Sequence, residues 1–237
     1  MPAATGNIPL PRDHGSGPGR PWHTGIPVTT FWVGEIFDPE AEDGSQLIST
    51  YDSSWLEHYG GCDGLDSDDR CVTTPRRESN GWFPLYMDPL ENPFYLDVPY
   101  DDLNDSVGFA RRCEVIPWAD EPGYAGRCED RGFSYMKNRW VHVVGPSGRA
   151  CYGQVEDAGP GVYADADYVF GDADQRPRNH RYGGAGMDVS PALTGCLGLA
   201  DINGMGEVID WRFVEEHDVP EGPWRRIITT SGVTNEP

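Results

Sequence analysis

Bulky apolar residues alternate with polar ones over 140–144 (WVHVV), and the same period returns over 150–155, with Gly145-Pro146-Ser147-Gly148 between them. Period-two patterning on both sides of a Gly/Pro/Ser turn predicts an antiparallel hairpin. Asp157 then falls just past the end of the hairpin's second strand. Residues 28–37 (VTTFWVGEIF) predict a strong first strand, and 94–98 (FYLDV) an internal one in which Phe94, Leu96 and Val98 alternate with Tyr95 and Asp97. Residues 208–214 and 224–229 predict the last two strands.

Helical signals are short. Over 53–59 a Ser cap precedes Trp55, Leu56 and Tyr59 on one face, and Gly60-Gly61 stops the helix. A second helix is framed by Ser190 as cap, Pro191 at its first position and Gly198 as its stop, so Asp188 sits at a strand-to-helix junction. Residues 107–116 fit either a helical turn or a strand. Residues 1–26 read as an extended Pro/Gly/His-rich arm, 66–77 as a charged loop, and 161–181 as a long loop carrying Asp165, Asp167, Asp172 and Asp174. A structureless stretch of that length inside a compact domain is more often functional than idle.

Composition fits this pattern. With 237 residues, 30 Gly and 21 Pro, the chain reads as one β-rich, loop-rich domain large enough to bury its own core, over 27–237. No internal repeat is present. Lys plus Arg number 18 against 39 Asp plus Glu, a net charge of −21 that repels nucleic acid and anionic membrane surfaces. Neutral or cationic partners and a monomer are expected, although such a surface also serves solubility alone.

Six cysteines, Cys62, Cys71, Cys113, Cys128, Cys151 and Cys196, are an even number with no CxxC and no Cys/His cluster. Disulfides are therefore favoured over zinc, but sequence leaves all fifteen pairings open. That points to a secreted, extracellular protein. No charged start followed by an apolar stretch opens the chain, so the expected form is one whose signal has been removed. Asp63, Asp66, Asp68 and Asp69 cluster without the Gly and Glu of a calcium loop, and the His residues are scattered; no metal and no cofactor are expected.

The strings GPSGR (145–149), YGQVEDAGPG (152–161), GMDVSPAL (186–193) and VIDWRFVEEHDVPEGPWRRI (208–227) resemble the catalytic-type domain of bacterial expansins. They are also similar to the related lipoprotein-A-like and family-45 endoglucanase-like proteins, over roughly residues 134–229. The resemblance implies an all-β fold with short helices, a six-stranded double-psi β-barrel. Upstream, Thr30 to Gly34 looks like that barrel's first strand and Gly60 to Gly64 like the turn that follows it. The chain departs from the pattern by insertions at 35–59, 64–92 and 161–185.

By matching position, the resemblance makes Asp188 the general acid or polysaccharide-contacting acid, with Asp157 assisting it. Cleaving a glycosidic bond takes one protonated acid for the leaving oxygen and a second, ionised carboxylate for water or the sugar cation. Burial beside a like charge would raise Asp188 toward that role. Family-45 enzymes carry the base on the first strand after an aromatic residue, where this chain has Val33. Glu35, Asp52 and Asp63 are the candidates instead. Trp32, Tyr51, Trp55, Tyr163, Tyr168 and Tyr182 are candidates for stacking on sugar faces. The plainer readings are a helix cap for Asp188, solvated turn carboxylates for the three acids, and core packing for the aromatics. The implied function is an extracellular glycoside hydrolase or lytic enzyme acting on a β-1,4-linked glycan, glucan or peptidoglycan; the alternative is a non-hydrolytic, expansin-like glycan-loosening protein.

Overall fold

The computed structural model describes residues 19–40, 44–67, 70–200 and 206–234. In chain order its main elements are β1 (His23–Thr30), α1 (Trp55–Tyr59), β2 (Leu65–Ser67), β3 (Arg70–Val72), β4 (Tyr95–Val98) and α2 (Ser106–Val115). They continue with β5 (Trp140–Val144), β6 (Ala150–Ala158), α3 (Ala166–Val169), β7 (Met187–Val189), α4 (Pro191–Leu197) and β8 (Glu207–Val214). The protein is all-β with short helices.

Six strands close into a barrel in the order β1-β7-β4-β6-β5-β8. Pairing is mixed: β1 with β7 and β4 with β6 are parallel, and the other four pairs are antiparallel. Closure leaves no barrel edge unpaired, which removes the templating hazard of an open sheet. Alternation fills the interior as period two requires: Ile26 and Val28, Val141 and Val143, and Ile209 and Trp211 are all at most 1% exposed.

The hairpin is β5–β6, in register from Trp140↔Gln154 to Val144↔Ala150. Asp157 lies within β6, not past its end, because β6 runs three residues further to pair with β4. The first strand is displaced toward the N-terminus, at His23–Thr30, so residues 23–26 of the expected arm belong to the barrel. The Phe31 N–H still bonds to the Val189 carbonyl of β7 at 3.2 Å, and residues 32–35 then turn, with the Glu35 N–H bonded to the Trp32 carbonyl at 2.9 Å. The undecided stretch 107–116 is helical because Asp105 caps it, accepting from the N–H groups of Val107 at 2.9 Å and Gly108 at 2.8 Å. Part of the expected 66–77 loop is the β2–β3 hairpin, and the 161–181 loop contains α3.

The expected strand over 224–229 is absent among the described residues. A 3₁₀ turn, Pro223–Arg225, occupies its start, and the Thr229 N–H bonds instead to the side chain of Gln154 at 3.0 Å. The start of α4 is as read: Ser190 Oγ accepts the Leu193 N–H at 3.2 Å, Pro191 follows, and Gly198 ends it at φ 70°. Three disulfides, Cys62–Cys71, Cys113–Cys128 and Cys151–Cys196, resolve the open pairing. The last of these joins β6 to α4 on either side of the two aspartate strings. No helix among the described residues is long and apolar enough to cross a membrane.

Candidate functional site

Four neighbouring strands bring one row of residues together. Thr29 of β1 stands opposite Asp188 of β7, Asp188 opposite Asp97 of β4, and Asp97 opposite Asp157 of β6. The preceding row, Thr30, Val189, Leu96 and Val155, points into the core, so period two turns the carboxylates to the other face. A register shift places Asp157. Leu96 pairs with Val155 and Asp97 with Asp157, so Glu156 is passed over; in regular pairing Glu156 would face Asp97.

Main-chain and hydroxyl groups hold the row in place. The Asp188 N–H donates to Asp97 Oδ1 at 3.0 Å, and Thr29 Oγ1 donates to Asp188 Oδ1. Asp157 Oδ1 accepts the N–H groups of Thr50 at 2.7 Å and Ala158 at 2.8 Å. Gly159 makes room for the central member, since a Cβ there would stand 2.8 Å from Asp97 Oδ2. Among the described residues no Lys, Arg or His forms an ion pair with any of the three aspartates.

Like charges abreast and removed from water favour the protonated forms. Burial, then the charge of Asp157, then that of Glu35, push Asp188 up to about 8. Asp97, 3% exposed, is pushed well above the carboxylate range by burial and then by Asp188 and Asp157. Asp157 is raised less, to about 6, because its bonds to Thr50 and Ala158 oppose burial. Glu35 is raised to about 7 by burial, against the main-chain N–H of Trp32. The site therefore presents, near neutral pH, a protonated and partly exposed Asp188 beside an ionised Asp157, with Glu35 close to half-ionised.

Of the three acids considered for activating water, Glu35 alone acts on Asp188. Asp52 is fully buried: its carboxylate lies 2.7 Å from His58 Nδ1 and accepts the Ser54 N–H at 2.9 Å and the Thr234 hydroxyl at 2.7 Å, pinning the C-terminal segment to the start of α1. Those partners hold it below the usual carboxylate value against burial. Asp63 is fully buried too, 2.5 Å from Arg76 Nη2 and accepting the Tyr95 hydroxyl at 2.8 Å. Neither has room for a substrate water.

The aromatics divide likewise. Tyr51, Trp55 and Tyr168 are at most 1% exposed and serve the core, correcting their assignment to sugar stacking: no ring face reaches solvent. Tyr168 instead bonds the Gly186 carbonyl and accepts from Trp211 Nε1. Trp32 is half-buried, its Nε1 donating to the Cys71 carbonyl at 3.0 Å. Tyr163 and Tyr182 are exposed, and the Tyr163 carbonyl accepts the N–H of Asp101, whose charge acts on Asp157, at 2.7 Å.

Asp97 is the residue that sequence reasoning missed, having counted it as the polar face of an ordinary strand. A signal was present. Leu96-Asp97-Val98 and Met187-Asp188-Val189 repeat one arrangement, an aspartate between two buried apolar strand residues. Asp66 is exposed, and Asp68 and Asp69 lie outside the described residues. No group of three or more His, Cys, Asp or Glu among the described residues stands at metal-binding geometry.

Fold and site together define a class of protein, a closed six-stranded mixed barrel bearing a row of uncompensated carboxyl groups. No protein-family model matches the chain, and no curated protein sequence matches it.

Proposed function

We propose that the protein is an extracellular polysaccharide-active enzyme with a double-psi barrel, cleaving a β-1,4-linked glycan with Asp188 as general acid. The observation that carries this reading is the cross-strand row Asp157–Asp97–Asp188, without a cation among the described residues, which raises Asp188 to about 8 and keeps it protonated near neutral pH. Asp188 donates its proton to the leaving glycosidic oxygen, and the ionised Asp157 keeps that proton in place before the step and stabilises positive charge on the sugar during it. Glu35, ionised in part at pH 7, takes the proton of an attacking water in a hydrolytic reaction. Asp97 fixes the main chain of Asp188. The three disulfides and the strongly acidic surface support an extracellular setting.

Product release from soluble β-glucans and purified peptidoglycan, compared between the native chain and Asp188→Asn, tests the proposal. New reducing ends or anhydro-muropeptides that disappear in the variant support it and identify the polymer. Binding to insoluble glycan without any product from either chain overturns it in favour of the loosening protein.

A further inference from the structure

On the outer wall of the barrel, away from the carboxylate row, β5, β6 and β8 carry a second constellation. His142, Tyr152 and Arg212 stand abreast, His142 opposite both of the others. The His142 and Tyr152 rings stack with centroids 4.5 Å apart, Trp224 closes one end of the ladder at 5.1 Å from Tyr152, and Trp22 the other at 5.1 Å from His142. The Arg212 guanidinium lies over Trp22 at 4.8 Å. His142, Tyr152 and Arg212, with Arg20, Glu215 and Asp218, line a groove of about 540 Å³, a volume in the range of small-ligand sites. Tyr152 and Asp157 are five residues apart along β6, roughly 16 Å at strand rise.

The charges in the groove are not equally committed. Arg20 is 2.6 Å from Glu121, and Glu215 is 2.9 Å from Arg139 and 3.7 Å from Arg20. Arg212 is different: among the described residues no oxygen accepts from its guanidinium, and its Nε is buried without a partner. A guanidinium carbon 4.8 Å from an indole ring, with no acceptor on its two Nη groups among the described residues, offers the two-pronged geometry that a planar carboxylate takes up. Arg212 and Asp218 both act on the Tyr152 hydroxyl, Arg212 the more strongly, and Asp218 is 63% exposed at the side chain. Asp218 and Tyr152 thus add an acceptor and a hydroxyl beside the guanidinium, as a polyhydroxylated ring requires. Asp218 and the net charge of −21 penalise polyanions such as nucleic acid or multiply charged phosphate.

We infer that this groove is a binding site for a glycan residue bearing a single carboxylate, held by Arg212 through the carboxylate and by Tyr152 and Asp218 through ring hydroxyls. The site stands independently of the reaction assigned to the carboxylate row.

Calorimetric titration of the whole protein with aldotriouronate, a trisaccharide with one uronate carboxylate, tests it, with cellotriose as the neutral control and inorganic phosphate as the simple-anion control. The aldotriouronate is expected to bind at least tenfold more tightly than cellotriose. Arg212→Gln should weaken it tenfold or more, Arg212→Lys should restore it only in part, and Asp218→Asn should weaken it less than Arg212→Gln. Thermal melts that match the native chain confirm that these variants fold. Binding should survive Asp188→Asn, so that loss of catalysis and loss of this site are separate results. Equal binding of cellotriose, an unchanged affinity in folded Arg212→Gln, full competition by inorganic phosphate, or no binding at all would each overturn the inference.

Discussion

Buried carboxylates occur in two regions of this molecule on opposite terms. In the cluster around Asp63, a fully buried guanidinium from Arg76 and the hydroxyl of Tyr95 meet the carboxylate directly. Glu156 is treated the same way, with Lys137 Nζ at 2.7 Å. In the row Asp157–Asp97–Asp188 the nearest charges are other carboxylates. A buried carboxylate with a cation holds the fold together, and breaking such a pair leaves a stranded charge. Burial raises Glu156 to about 7 even with its lysine, but where like charges add to burial, as at Asp97 and Asp188, the proton is held more firmly, which makes such a group a candidate for proton transfer.

The comparison is broken or sharpened first by Asp188→Asn, expected to reduce glycan product release by roughly 10²- to 10⁴-fold while the thermal midpoint stays level or rises. A coincident loss of folding would show that Asp188 belongs with the structural cluster. Second, Arg76→Met should cost about 3–5 kcal/mol in denaturant unfolding by stranding Asp63, with product release per folded molecule unchanged.

The third expectation concerns pH. Asp188, Asp157 and Glu35 are raised to about 8, 6 and 7 from ordinary values of 3.8, 3.8 and 4.5. Between the unfolded and folded values the folded chain binds more protons than the unfolded one, so these groups make stability fall as pH rises from about 4 to 8. Asp52 acts in the opposite sense: its value is lowered, so its contribution is lost as pH falls through that lowered value. Urea midpoints measured across this range should decline toward pH 8, and the decline should be shallower in Asp188→Asn. Activity should fall as pH passes about 8, where Asp188 loses its proton.

The smallest effect is expected from Gly159→Ala. Its Cβ would press on Asp97 Oδ2 and tilt the row, lowering product release roughly tenfold, with a circular-dichroism melt close to that of the native chain.

Much of the architecture was legible in local pattern. The hairpin over 140–158, the cap and stop of α4 and the helix before Gly60 follow from short-range chemistry, and there the structure agrees to within a few residues. The first strand was misplaced because 31–37 is as apolar as 23–30, and only pairing with β7 and β8 decides between them. The run 224–229 alternates little and makes its contacts through Gln154 and Asn92, which no periodicity reveals. Asp157 and Asp188 were visible beside their turn and helix start. Asp97 was not, since a strand aspartate is ordinarily a solvated one.

The sequence by itself determined that this is an acidic, β-rich protein with an even number of cysteines and with aspartates near a strand and a helix start, because composition, period and capping act over a few residues. Tertiary structure decided which acids share a site. The parallel pairing of β4 with β6, the skipped Glu156 and the meeting of β4 with β7 join residues 60 and 91 positions apart. It also decided which carboxylates receive a cation, since only the closed barrel brings Arg76 to Asp63 and leaves Asp188 without an ion pair among the described residues. Burial and like charge are properties of that arrangement, and the same three letters in an open chain would be ordinary ionised aspartates.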